Sequence, residues 1–164
     1  MADLTNLESK LGEVTGLAMA AKAATTTVSK LARAEHKELV PALKQMKDEA
    51  AETEKRCKAL AGSFTGKKTA ILEEAKETQD KASRMLEIYL DDSSDALDGF
   101  EFLTMAEAGE VGHWEVLQQM SKSAGNAEVK RLVAWALPIQ KRHFDTARKT
   151  SAQLAASEDP NEEE

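Results

Sequence analysis

Hydrophobic residues recur along most of this 164-residue chain at alternating steps of three and four, a spacing that places them on one face of an α-helix. The clearest repeat lies between about residues 35 and 61 and consists of Leu39, Leu43, Met46, Ala50, Thr53, Cys57 and Leu60. Similar stripes predict helices over about residues 4–33, 67–90 and 95–123, and a last one that ends near residue 156. Gly62, Gly66 and Gly125 predict the breaks between these helices, because glycine readily adopts the left-handed conformation that ends helices.

The order of these helices indicates how they are arranged. The first two and the last two predict antiparallel hairpins, and the third, with a heavily charged outer face, predicts a crossover on the surface. Two hairpins joined by a long crossover is the connectivity of ferritin-like bundles. We therefore predict an all-α, ferritin-like four-helix bundle over residues 1–156, with a helical crossover between helices two and three of the bundle.

Composition and charge narrow the class of protein. The chain is 41% hydrophobic and only 4% aromatic, which favours a single helical domain over any β fold. It carries 22 basic and 29 acidic residues, and acids crowd its end, so we predict that residues 157–164 form a disordered acidic tail. An acidic chain without a basic stripe is not expected to bind nucleic acid.

The cellular location of the protein is predicted from the absence of membrane-spanning and secretory segments in the sequence. No apolar run approaches the roughly 18 residues of a membrane span, and the first residues lack the basic start and apolar stretch of a secretory signal. The single cysteine, Cys57, cannot form an internal disulfide and lies in a hydrophobic stripe, which predicts a buried apolar role. We expect a cytoplasmic protein that does not bind membranes.

Candidate chemistry lies on the last two helices. Glu107 falls in the middle of the apolar face of the fourth helix with Glu110 beside it, and His113 completes a Glu-x-x-His spacing. On the fifth helix His143 follows Gln140 at the same spacing, with glutamine where a di-metal bundle would have glutamate. A hairpin that turns near residues 124–125 would bring Glu107, Glu110, Gln140 and His143 into one layer.

The second helix adds acidic candidates, with Glu49 on the edge of its stripe and Glu52 further round, whereas the first helix offers no ligand at this height. Carboxylate and imidazole ligands suit iron, manganese or zinc. The sequence thus predicts a partial metal site drawn from Glu49, Glu52, Glu107, Glu110, His113, Gln140 and His143.

Three alternatives stay open. Glu107 and Glu110 can instead pair with Arg142 or other basic residues in a polar layer that sets helix register. His113, near the edge of its face, fits a surface group as well as a ligand. Trp135 lies outside the stripe of the fifth helix and is a candidate contact in a homodimer.

Short motifs add a family resemblance. The second helix and the break after it contain Glu52-Thr53-Glu54, Leu60 and Gly66-Lys67-Lys68, and the fourth helix contains Val111-Gly112-His113-Trp114-Glu115. Over about residues 35–156 these segments resemble the YciF-like family of small bacterial ferritin-like proteins, with Gly112 and Glu49 standing where that family usually has glutamate and histidine. The resemblance implies a ferritin-like fold, a common dimer, a metal site that includes Glu52 and His113, and an association with bacterial stress responses.

Two hypotheses about function follow from these observations. The first is a ferritin-like metal-binding protein with redox activity towards iron or peroxide. The second is a metal-free helical bundle that acts as a structural or protein-interaction module. The number of metal ligands in the layer distinguishes the two.

Overall fold

The computed structural model describes residues 2–162 and contains no β-strand in that range. Its five α-helices are α1 (Asn6–Glu35), α2 (Val40–Ala61), α3 (Lys68–Tyr89), α4 (Ala96–Ala124) and α5 (Ala127–Ala155). A short 3₁₀ helix (Lys37–Leu39) leads into α2, whose first turn contains Pro41. The predicted all-helical class is confirmed, and each break falls close to its predicted place. Within residues 2–162, no helix combines the length and the apolar character needed to cross a bilayer.

Local sequence signals set the ends of α4 and α5. At the start of α4, the side chain of Asp95 accepts a hydrogen bond from the backbone N–H of Asp98, and the side chain of Asp98 accepts one from the backbone N–H of Asp95, which forms a capping box. The helix ends at Ala124 and is capped by Gly125, whose φ of 65° lies in the left-handed region. Asn126 then caps α5 by accepting from the backbone N–H of Val129. The hairpin turn is therefore specified by two adjacent residues.

Contacts between helices centre on α1, which packs against α2, α3 and α4. Helices α4 and α5 pack along each other, and α2 meets α5 along a shorter stretch. The buried apolar side chains fall into two clusters, one around Trp114 and Leu11 and the other around Phe100 and Val28. Cys57 is fully buried in the first cluster, as its stripe predicted.

Beyond α5, residues 157–162 are exposed and contain turns. Glu163 and Glu164, the rest of the predicted acidic tail, lie outside the described residues. Disorder of this tail stays a prediction.

Two glycines let α1 approach α3 closely. A Cβ atom on Gly16 would lie 2.2 Å from the carbonyl oxygen of Ala75, and one on Gly12 would lie 2.7 Å from the Cβ of Glu74. Both distances are far below van der Waals contact, so no larger residue fits here without moving α3. All three buried residues of α3, Ala70, Ile71 and Ala75, lie in its first half, alongside this contact.

Replacing Gly16 by alanine should lower the free energy of unfolding by about 1–3 kcal/mol, because the added methyl group forces α3 away from α1. Gly112→Ala is the matched control, since Gly112 lies on α4 with open space around its Cα. There the better helix propensity of alanine should raise stability by up to about 1 kcal/mol. Urea-induced unfolding of both variants measures the two changes. Equal effects would contradict the close packing of α1 on α3.

Candidate functional site

A polar layer crosses the interior midway along the helices, between the two apolar clusters. We use this name for Glu49 from α2, Glu107 and Glu110 from α4, and Gln140, Arg142 and His143 from α5. The predicted meeting of Glu107, Glu110, Gln140 and His143 in one layer is present in the structure. It follows from the antiparallel packing of α4 on α5 about the turn at Gly125.

The side-chain amide of Gln140 donates hydrogen bonds to both buried glutamates, Glu107 and Glu110. Only 1% of Glu107 and 5% of Glu110 is exposed to solvent. The Nε2 atom of Gln140 donates a hydrogen bond to Oε2 of Glu110 at 2.5 Å and to Oε2 of Glu107 at 3.3 Å. Burial, together with the nearby carboxylate of Glu107, raises the pKa of Glu110 well above its ordinary value. Glu110 therefore keeps its proton at a higher pH than a glutamate in water.

His143 lies between two carboxylates and is only 3% exposed. Its Nε2 atom lies 2.6 Å from Oε2 of Glu49, and its Nδ1 atom lies 3.6 Å from Oε2 of Glu107. Burial alone would lower the pKa of His143, but the carboxylates of Glu107 and Glu49 outweigh burial and raise it. The imidazole is therefore oriented from both sides.

Glu49 connects the layer to the surface between α2 and α5. Its Oε1 atom accepts hydrogen bonds from Nη2 of Arg142 at 2.7 Å and from Nε2 of Gln45 at 3.0 Å. Burial alone would raise the pKa of Glu49, but hydrogen bonds from Gln45, His143 and Arg142 lower it. Arg142 thus pairs with Glu49 rather than with Glu107 or Glu110, and the basic residue that faces Glu107 is His143. Helical periodicity does not determine the partner of an arginine, because its side chain is long and flexible.

Two predicted candidates lie outside the layer. Glu52 is on the outer surface of α2, where it forms ion pairs with Arg56 and Lys55 and its side chain is 40% exposed. The Nδ1 atom of His113 lies 3.0 Å from Oε2 of Glu13, and the side chain of His113 is 39% exposed. The structure therefore brings together five of the seven candidates, without Glu52 and His113.

The layer also borders a groove of about 240 Å³ between α1, the second half of α3, and α4. Its walls are mostly small or apolar: Leu17, Ala20, Ala21, Ala24, Ala82, Ser83, Met85, Leu86, Phe102, Leu103, Met105, Ala106, Gly109 and His113. Glu107 and Glu110 also line it. The helical pattern did not reveal this groove, although the run of alanines on α1 is visible in the sequence.

Other reactive or aromatic groups are already accounted for. Burial raises the pKa of Cys57 to about 12, so its thiol stays protonated and unreactive at neutral pH. The guanidinium of Arg56 lies 4.0 Å from the centre of the Trp135 ring, which covers part of this half-buried indole. No group of three or more His, Cys, Asp and Glu side chains in residues 2–162 has the spacing of a metal site.

Comparison with models of protein families, with curated proteins and with solved structures gives no match to this chain. The YciF-like resemblance stays a prediction that rests on its short motifs.

Raising the pH should lower the free energy of unfolding through Glu110 and His143. Both hold protons more tightly in the folded chain, since their pKa values lie above the ordinary 4.5 and 6.5. Their contribution is complete below those ordinary values and is lost as the pH rises through the higher pKa values of the folded chain.

In the Glu110→Gln variant the new side chain still accepts a hydrogen bond from the Gln140 amide but does not titrate. The free energy of unfolding should therefore fall less steeply above about pH 4.5 than it does in the wild type. Glu101→Gln, at an exposed position of the same helix, is the control and should keep the wild-type slope. Urea unfolding of metal-free protein at several values between about pH 5 and pH 9 gives the slopes. A Glu110→Gln variant as pH-dependent as wild type would contradict the raised pKa of Glu110.

Proposed function

We propose that this chain is a ferritin-like four-helix bundle whose polar layer binds one divalent transition-metal ion. The helix contacts support the bundle: α1 adjoins α2 and α4, and α5 adjoins the same two helices, so these four helices can enclose the layer. Helix α3 packs mainly on α1 and takes the role of the crossover. This arrangement has the connectivity of ferritin-like proteins.

The geometry of His143 carries the metal proposal. Its Nε2 atom is engaged by Glu49, which leaves Nδ1 facing Oε2 of Glu107 at 3.6 Å. That separation is too long for a hydrogen bond but suits two ligands of one ion, each about 2.1 Å from the metal. Histidine ligands of metals commonly donate their other N–H to a carboxylate, the role that Glu49 has towards His143.

The remaining ligands would be Glu110 and Gln140. Metal binding requires the Gln140 amide to turn its oxygen towards the ion, because its nitrogen now lies between the two carboxyl groups. Oxygen and imidazole ligands in this combination fit iron(II), manganese(II) or zinc(II). Bound iron or manganese would supply redox chemistry towards peroxide, which agrees with the stress-response association that the family resemblance implies.

A second candidate is the metal-free interaction module, and the charges in the layer favour it. His143 faces Glu107, Arg142 pairs with Glu49, and Gln140 serves both buried carboxyl groups, so the layer needs no ion for charge balance. The layer would then set helix register. The protein would then form a homodimer through the face near Trp135. Light scattering can measure the mass of this dimer.

Adding iron(II), manganese(II) or zinc(II) to chelator-treated protein tests the first candidate. A metal at about 100 times its Kd should raise the Tm by about 5–10 °C, because it binds only the folded chain. Glu107→Gln should abolish this gain, whereas Glu52→Gln should retain it, since Glu52 lies on the outer surface. Elemental analysis of the purified protein provides an independent readout. No thermal shift with any of the three metals would refute metal binding.

Gln140→Glu separates the two candidates further, because it completes a Glu-x-x-His pair on α5. If the layer binds metal, this variant should show a larger thermal shift than wild type, since carboxylate is the better ligand. If the layer is metal-free, the variant should lose stability that no metal restores, because it buries another acid without a partner.

A further inference from the structure

The groove exists because α3 leaves α1 partway along its length. The first half of α3 is held against Gly12 and Gly16, and the second half contributes no buried residue. Beneath that second half, α1 presents three alanines, Ala20, Ala21 and Ala24, in place of large side chains. The short side chains leave space between α1, α3 and α4 that no part of residues 2–162 fills.

The groove has apolar walls and a polar floor. Its floor is formed by Glu107 and Glu110, which are almost completely buried. Gln140 and His143 approach these carboxyl groups from α5, a helix that does not line the groove. At the lip, Met85 and Met105 are 45% and 36% exposed, and methionine side chains adapt readily to different partners.

We propose that the groove binds a small, uncharged, apolar molecule with one hydroxyl group, which hydrogen-bonds to the carboxyl groups of Glu107 and Glu110. A dry cavity of about 150 Å³ holds benzene, so a groove of about 240 Å³ accommodates a chain of about eight carbons. This inference goes beyond metal binding and concerns the metal-free protein.

The charges around the floor select an uncharged ligand. An anion would meet the carboxylate of Glu107, and the basic side chains of residues 2–162 nearest to it already face other carboxylates: His143 faces Glu107, Arg142 pairs with Glu49, and His113 on the groove wall lies 3.0 Å from Glu13. An ammonium ion would lose its hydration in a mostly apolar groove while the carboxylates are already balanced. A hydroxyl group can donate to a carboxyl oxygen at a smaller desolvation cost.

Calorimetric titration of the full, chelator-treated chain with 1-octanol tests the proposal. We expect saturable binding of one molecule per chain, and 1-hexanol should bind about fifteenfold more weakly, because it lacks two methylene groups and each buried methylene contributes about fourfold in affinity. Octanoate and octylamine, which have the same chain length, should bind at least tenfold more weakly than 1-octanol. Absence of saturable 1-octanol binding, or a charged analogue that binds as tightly, would overturn the proposal.

Matched variants locate the binding site. Ala106→Leu adds volume to the α4 wall and should weaken 1-octanol binding at least tenfold, and Ala82→Leu should do the same from the α3 wall. Ala108→Leu, at an exposed position of α4 outside the groove, should leave affinity unchanged. Circular dichroism confirms that each variant is folded. If all three bind 1-octanol equally, the groove is not the site. Because every titration uses metal-free protein, a failure here is distinct from a failure of the metal experiment.

Discussion

Two carboxyl groups held in the interior of a helical protein impose the constraint from which the rest of the polar layer follows. Burying a charge without a partner is costly, so each acid needs compensation. Glu110 holds its proton more tightly, Glu107 faces His143, and both accept from Gln140. His143 in turn is engaged by Glu49, whose carboxylate reaches Arg142 at the surface. The compensation therefore runs from the centre of the molecule to solvent.

The helices and the membership of the layer could be predicted from the sequence because both depend on short-range geometry. An apolar stripe determines which face of a helix is buried, and the turn at Gly125 determines which residues of α4 and α5 share a height. Glu107 and His143, 36 positions apart, were brought together by these two rules alone. The small side chains in the middle of α1 were also visible in the sequence, although the groove that they leave was not.

The details that failed depend on flexible side chains and on packing between distant segments. Arg142 pairs with Glu49 and not with Glu107 or Glu110, because helical periodicity does not fix where the end of a long, flexible side chain lies. Glu52 lies beyond the edge of its apolar stripe and is on the outer surface of α2. His113 lies near the edge of its stripe, where a small rotation of the helix decides between the interior and the surface. The groove depends on where α3 leaves α1, and this point is fixed by contacts of Gly12 and Gly16 that no periodicity reveals.

The contact of Gly12 and Gly16 with α3 also acts as a fulcrum. Because these glycines contact the first half of α3, a larger side chain at either position would have to displace α3, whose second half forms a wall of the groove. The width of the groove is thus controlled from residues that a ligand there would never touch. A substitution at this fulcrum can therefore alter the space between α1, α3 and α4 while every residue that lines the groove stays the same.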